Sequence, residues 1–551
     1  MNKKYRLLAF LLALCLIMTS CSQGSGNNAT QSPAASTTPE ASIAPTKSEE
    51  PTKSEAPSAS PSEAAKELYP LDLVTSKVEV QQSESKEFSQ VFEAEDGVVA
   101  GDIAVATQRA GFSGSGYITG FSQKPANKWS LEIEIPYTQY YKITTKASAD
   151  SYKENFLTLD GKSLGTIVCS GERAFEEFSM EGIYIEAGKH TLSVTESWGW
   201  FDLDSITIAT GSSFGADLYN GVSSKLVNPQ ANEKTQRIMN YIVDNYGKNI
   251  ISGQYTNHGF NTEVEVIKRE TGHYPALRGF DFIFMSPNSG YQSLAEMDQA
   301  IDWSKKGGLL SFSWHWHAPI KEGEFYTKDT KFKLADAVTE IDLSMLSLEE
   351  AKALWDKGDI TEEAYKILSD IDVISGHLKT LEENNVTVLW RPLHEASGGW
   401  FWWGGSGSDS FLWLYKLMFN RQMNYHKLSN IIWVWNGQNK DWYPGDEYVD
   451  IIGEDIYADK HDYGSQVAKL GSVAQYTTGK KVIALSENGV IPDPDNMIRD
   501  NAMWSYFNTW CREFIVDDSF QLIGDYTSDE MVNKMFNHER VITLDELPRF
   551  E

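Results

Sequence analysis

The sequence predicts an α/β protein in which a (β/α)8 TIM barrel is preceded by a β-sandwich of jelly-roll type. Between Asn228 and Glu551, eight apolar strand-like runs alternate with helical stretches. Parallel strands covered by helices close into a barrel in this way. Residues 88–211 instead carry short alternating segments separated by turn dipeptides such as Asp160-Gly161 and Ala187-Gly188, as sandwich strands require. At 551 residues the chain is also longer than one core ordinarily serves, so at least two domains are expected.

In chain order, residues 1–21 read as an export signal. Lys3, Lys4 and Arg6 form a basic start, Leu7 to Met18 an apolar run too short to span a bilayer, and Thr19-Ser20-Cys21 a small-residue exit. The segment resembles a bacterial lipoprotein signal, which implies lipidation of Cys21. Met18 departs from the usual Leu of that signal, and an ordinary signal peptide is the alternative. Both readings place the protein outside the cytoplasm, and the first makes it a bacterial cell-surface lipoprotein touching the membrane through its acyl chains. Residues 22–66 are rich in Ser, Thr and Pro and repeat Pro-Thr-Lys-Ser-Glu at Pro45 and Pro51. With almost no large apolar side chain, they are expected to form a disordered tether.

Within residues 88–211, Trp129 to Pro136 and His190 to Thr195 show the period of half-buried strands. The eight runs of residues 228–551 are Ile250–Tyr255, Tyr274–Asp281, Leu309–His315, Val386–Arg391, Ile431–Trp435, Asp450–Ile456, Lys481–Ser486 and Trp504–Trp510. An open doubly wound sheet is the alternative, but no Gly-rich phosphate loop follows an early run. A formal charge of −29 argues against nucleic acid or anionic lipid as a partner. A neutral polymer fits, and 17 Trp with 25 Tyr offer flat apolar faces for sugar rings. Beyond Cys15 and Cys21 the cysteines are Cys169 and Cys511, too few and too separated for a disulfide framework.

The chemistry concentrates at strand ends. Glu395 follows the fourth run and leads into Trp400-Phe-Trp-Trp403, while Glu487 closes the seventh. In a barrel both face the C-terminal mouth. Two carboxylates bracketing a glycosidic bond at about 5 to 5.5 Å perform retaining hydrolysis, one as acid/base and one as nucleophile. Either Glu alone is more ordinarily a solvated cap, and it is the pairing that points to catalysis. Arg391 is expected either to lower the nucleophile's pKa or to form a structural salt bridge. Trp510 is a candidate floor for the reacting sugar or a core residue. His315 and His317 are expected on opposite faces, without a third ligand at a recognisable spacing, which discounts zinc.

Residues 228–551 resemble glycoside hydrolase family 26, best known for endo-β-1,4-mannanases. The resemblance rests on Ser252-Gly-Gln254, Tyr274 to Asp281, Ser313-Trp-His-Trp316, Arg391-Pro-Leu-His-Glu395 with Trp400 to Trp403, Asp455-Ile-Tyr457, Ser486-Glu487 and the ending from Asn537. It implies that Glu395 is the acid/base and Glu487 the nucleophile. It also implies that His394 contacts sugar or orients the nucleophile, that Tyr457 hydrogen-bonds Glu487, and that His315 and Trp400 line the cleft. Asn488 and the long stretch from Lys321 to Asp372 depart from the common pattern. Phe92-Glu-Ala-Glu95 and Phe201 to Ile206 resemble family 35 carbohydrate-binding modules. That implies a structural Ca²⁺ held by Glu93, Glu95 and Asp204, with Glu93 and Glu95 expected on one face of the first strand. Trp198 and Trp200 are the expected sugar contacts of this domain. The implied activity is retaining hydrolysis of mannan, glucomannan or galactomannan without a catalytic cofactor, by a monomer. Hydrolysis of mixed-linkage glucan or xylan, or a non-catalytic surface glycan-binding role, are the alternatives.

Overall fold

The computed structural model describes residues 66–79, 84–194, 199–320 and 323–551. Cys21, nearly all of the expected tether and Trp198 lie outside the described residues. The chain enters along the barrel before building the sandwich. Tyr69 donates its backbone N–H to Arg549 O at 2.8 Å and its hydroxyl to Asp244 at 2.9 Å, and Asn240 Nδ2 donates to the carbonyls of Pro70 and Asp72, each at 3.0 Å.

The sandwich has two antiparallel sheets. One orders Ala104–Ala106, Tyr117–Thr119, Phe201–Thr210, Gln139–Ala149 and Glu176–Ile185, with Ser89–Glu93 also pairing Phe201–Thr210. The other orders Val98–Ala100, Lys128–Ile135, Gly188–Val194, Lys153–Leu159 and Lys162–Cys169. Alternate residues such as Trp129, Ile133, Leu192, Ile143 and Ile206 turn inward and are buried, the period-2 burial of facing sheets. Trp129 satisfies its indole N–H on Ala94 O at 2.8 Å, so it fills the core without an orphaned donor.

The barrel strands are β1 (Gly253–Tyr255), β2 (Leu277–Asp281), β3 (Leu309–Ser313), β4 (Val388–Arg391), β5 (Ile431–Trp435), β6 (Ile451–Ile456), β7 (Val482–Asn488) and β8 (Phe507–Thr509). They pair in parallel in that order and β8 closes on β1. All but Ile456 are buried, which explains why the runs read as continuously apolar rather than alternating. The β6–β7 ladder steps at one point: Glu454 pairs Leu485 and Asp455 pairs Glu487, so Ser486 has no opposite number. Such a bulge re-aims the side chains that follow it. The long stretch before β4 forms helices Leu348–Lys357, opened by a Ser347/Glu350 capping box, and Glu362–Glu383.

Replacing Trp129 by Ala should lower the stability of the sandwich by about 3–5 kcal/mol, through the cavity it leaves. The shift of its denaturant midpoint measures this.

Candidate active site

Arg391 ends β4 with no solvent exposure and organises the mouth of the barrel. Its Nη2 donates to Glu487 Oε2 at 2.6 Å, and its Nη1 to Asp455 Oδ2 and Asn436 Oδ1, each at 2.7 Å. Nε lies 3.3 Å from Tyr255 Oη. Both roles anticipated for this arginine are therefore realised together: it is a buried structural ion pair, and its charge acts on Glu487. Its neighbours hold its own pKa well above the usual value in spite of burial, chiefly through Asp455.

Glu395 stands beyond β4 on a sharply turned segment where both Leu393 and Glu395 have left-handed backbone, φ 54° and 53°. Non-glycine residues hold this conformation only where the surroundings fix it. Here Glu395 N–H donates to Asn436 O at 2.8 Å and Trp403 Nε1 to His394 O at 2.9 Å. The carboxyl is buried and accepts the Trp400 indole N–H at 3.0 Å. Gly398 makes room for that indole, since any Cβ there would overlap the ring. Phe401, Trp402 and Trp403 are fully buried, with Phe401 stacked on Trp403 at 4.4 Å and Tyr326 stacked on Phe401 at 5.4 Å. Of the aromatic block, only half-buried Trp400 is open to a ligand.

Glu395, Asp455 and Glu487 bring carboxylate oxygens within 4.8 Å of one another, closer than the wide separation of an inverting pair. Burial pushes Glu395 well above the usual carboxyl range, reinforced by the charges of Asp455 and Glu487. Glu487 is pushed up to about 7 by burial and Asp455, but Arg391 and the Tyr457 hydroxyl, which donates to its Oε1, oppose this. Asp455 is raised by burial and held back by Arg391 and by Ser486, whose hydroxyl donates to Oδ1 at 2.8 Å. One proton in this trio therefore resides on Glu395, which lacks the guanidinium contact, and the negative charge on Glu487 and Asp455, which share that contact. A proton donor facing an ionised nucleophile is the asymmetry that glycoside cleavage needs.

His315 turns Nδ1 to Asp281, which is held well below the usual range by this ring in spite of burial. That leaves Nε2 buried without a partner, as are both ring nitrogens of His394. Burial drives the His394 pKa well below its usual value, so the ring is neutral. The two rings meet edge to face at 4.6 Å. Buried polar groups ordinarily find partners, so these three nitrogens are available to a polar ligand. Trp510 packs beside Tyr255 at 4.8 Å and His315 at 6.1 Å, almost wholly covered.

Contrary to expectation, His315 and His317 share a face, because residues two apart in extended chain point the same way. Both rings lie against Phe325, at 5.5 and 5.3 Å. They are engaged separately, His317 Nδ1 meeting Gly323 O at 2.9 Å. In the sandwich, Glu93 ends its strand, whereas Glu95 lies on a 3₁₀ turn rather than on the strand itself. With Asp204 these acids surround the turn at residues 113–116, but they do not gather ligand oxygens as closely as the trio in the mouth. Trp200 is 55% exposed, at φ 50°, beside Lys153.

Comparison with known families agrees with this geometry: the profile of glycosyl hydrolase family 26 matches residues 227–546. The chain belongs to glycosyl hydrolase family 26. Residues 90–211 match the carbohydrate binding module of family 35. The mannan endo-1,4-beta-mannosidase B of Piromyces sp is 37% identical over 83% of this chain and 77% of its own length. Among solved structures, the Podospora anserina GH26-CBM35 beta-(1,4)-mannanase is 31% identical, covering 84% of this chain and 99% of that one at a TM-score of 0.53. A ruminal GH26 endo-beta-1,4-mannanase is 26% identical, covering 85% and 100% at a TM-score of 0.58.

Asp455, Asn436, Tyr255 and Asp281 had no assigned role from sequence. Strand alternation was a usable signal for Asp455, because residues two apart share a face and Tyr457 was already placed in the mouth.

The two limbs of the pH profile of kcat/KM should move independently. Tyr457→Phe removes a donor that favours ionised Glu487, so its pKa rises and the acid limb shifts to higher pH. Trp400→Phe removes the donor on Glu395, so the alkaline limb shifts to higher pH. Profiles on a soluble oligosaccharide report both.

Proposed function

We propose that this family 26 protein is a retaining endo-β-1,4-mannanase that cleaves mannan, glucomannan or galactomannan by double displacement. The observation that carries the mechanism is the asymmetric pair: Glu395, protonated by burial, and Glu487, held ionised by Arg391 and Tyr457, with oxygens within 4.8 Å. The family and the mannanases to which the chain is similar support the substrate.

Glu487 attacks the anomeric carbon as Glu395 protonates the departing oxygen. A covalent glycosyl-enzyme forms, and Glu395, now a base, activates the water that releases it. His394 and His315 take sugar hydroxyls on their unsatisfied nitrogens, and Trp400 offers a ring face on the leaving-group side, beside the acid it touches. Family 26 catalysis needs no cofactor. The sandwich supplies a polysaccharide-binding face through Trp200, with Trp198 two residues away in sequence, and raises the local concentration of enzyme on polymer.

A structural Ca²⁺ held by Glu93, Glu95 and Asp204 belongs to the same reading. What supports it is charge and orphaned oxygen. Ser113 Oγ, with one hydrogen, stands 2.9 Å from Glu93 and 3.0 Å from Asp204, and Glu95 Oε2 is buried without a partner. Lys146, 2.8 Å from Asp204, supplies one positive charge against three carboxylates. Surface anchoring through Cys21 and action as an extracellular monomer complete the proposal. The basic start, the apolar run and the Ser/Pro-rich tether support the anchoring and the extracellular site.

Reducing-sugar release from soluble mannan, and not from mixed-linkage glucan or xylan, tests the substrate. Glu487→Ala should lower turnover by a factor of about 10³ or more. Azide should restore part of it and yield a product of inverted configuration, whereas rescue with retention would contradict the nucleophile assignment.

A further inference from the structure

We propose that the sandwich is also part of the catalytic scaffold: seated on the barrel helix Val467–Val473, it holds Lys469 over Glu454, making Lys469 a positioning residue for Asp455 and Glu487. This rests on the hydrolase reading above. It adds that the sugar-binding domain acts on turnover as well as on attachment to polymer.

The seam between the domains leaves no play. The strands Lys162–Cys169 and Glu176–Ile185 of the sandwich lie directly on that helix. A Cβ on Gly165 would come within 2.8 Å of the Ala468 Cβ, and one on Gly182 within 3.3 Å of Val467 Cγ2. From the helix side, Gly471 faces Phe214 so closely that a Cβ would overlap its ring. Interfaces packed at this density are bistable or rigid rather than gradually deformable.

Lys469 sits on the same short helix, and its Nζ is 2.8 Å from Glu454 Oε1, whose side chain is fully buried on the outer face of β6. The groups acting on this ammonium are Glu454 from the barrel strand, Glu154 from the sandwich and the Tyr476 phenol beyond the helix. Lys469 is therefore paired to the barrel acid, and the charge of the sandwich's Glu154 acts on the same ammonium. Burial pushes the Glu454 carboxyl up to about 7, and Lys469 is the principal group holding it down. A buried carboxylate deprived of its partner protonates or moves.

Movement there has a short path to the reacting groups. Glu454 is the residue at which the β6–β7 register steps. Across that bulge, Ser486 Oγ lies 3.3 Å from Glu454 O and donates to Asp455 Oδ1 at 2.8 Å. A Cβ on Gly453 would come within 2.5 Å of the same hydroxyl, so the bulge is tightly filled. Ser486 precedes Glu487, and Asp455 shares Arg391 with it. A displaced Glu454 thus reaches Asp455 directly along the chain, and Glu487 through the Ser486 hydroxyl and one further peptide link.

The test is kinetics on a soluble nitrophenyl β-mannobioside at saturation, where polymer capture no longer contributes to rate. Lys469→Met in the full chain should lower kcat about ten- to a hundredfold, as small misplacements of reacting groups do. KM should change less than about twofold, and Lys469→Arg should recover most of the loss. Gly165→Ala, changed only in the sandwich and pressing on Ala468 of the helix, should lower kcat in the same direction and serves if Lys469→Met does not fold. Wild-type kcat in folded Lys469→Met, or in folded Gly165→Ala where Lys469→Met does not fold, would overturn the proposal. So would a loss that appears only in melting temperature. Where the wild-type enzyme cleaves soluble mannan but not this glycoside, the same kcat ratio at saturating soluble mannan decides the proposal, whereas inactivity on both would sink the hydrolase reading itself.

Discussion

One buried cation decides how the mouth of this barrel works. Arg391 lies at the end of β4 with four polar neighbours drawn from β1, β6, β7 and the segment after β5. Removing a guanidinium from water is costly unless its donors are matched, and here two carboxylates, an amide oxygen and a phenol take four of its five N–H groups. Meeting that requirement from four parts of the barrel fixes their relative height. The catalytic geometry therefore follows from the need to satisfy one charge.

The same charge separates two otherwise similar carboxyls. Glu395 and Glu487 are both buried at the same mouth, and the charge of Glu487 raises the affinity of Glu395 for a proton. Only Glu487 touches the guanidinium and a phenol, while Glu395 is met by a single indole N–H. The pair resolves into a proton holder and a charge holder because its surroundings are unequal, although the residues are chemically the same.

Much of this was legible in the sequence. The eight runs were visible because strands buried on both faces carry uninterrupted apolar residues, and the positions of Glu395 and Glu487 after the fourth and seventh runs follow from the barrel alone. What local sequence conceals is partnership at long range. Asp455 lies 64 positions from the arginine it binds, and nothing near either residue announces the other. The Trp400 to Trp403 block shows the converse. Four aromatic residues in a row look alike in sequence, yet Tyr326 and Phe332, from the long stretch before β4, bury Phe401 and Trp402 and leave Trp400 as the one beside the acid. The same-face placement of His315 and His317 was open to a correct reading of strand alternation.

The path of the chain before the sandwich has a mechanical consequence. Residues 66–79 run along the barrel, paired to Arg549 near the C terminus and hydrogen-bonded to the helix Glu233–Asn245, before the first sandwich strand begins. A pull applied at residue 66 is therefore borne in shear by the barrel's own helix and terminal strand contacts. The sandwich lies off that load path. Tension between a fixed N terminus and a polymer gripped in the cleft would stretch the barrel's contacts and leave the sugar-binding sheets unstrained.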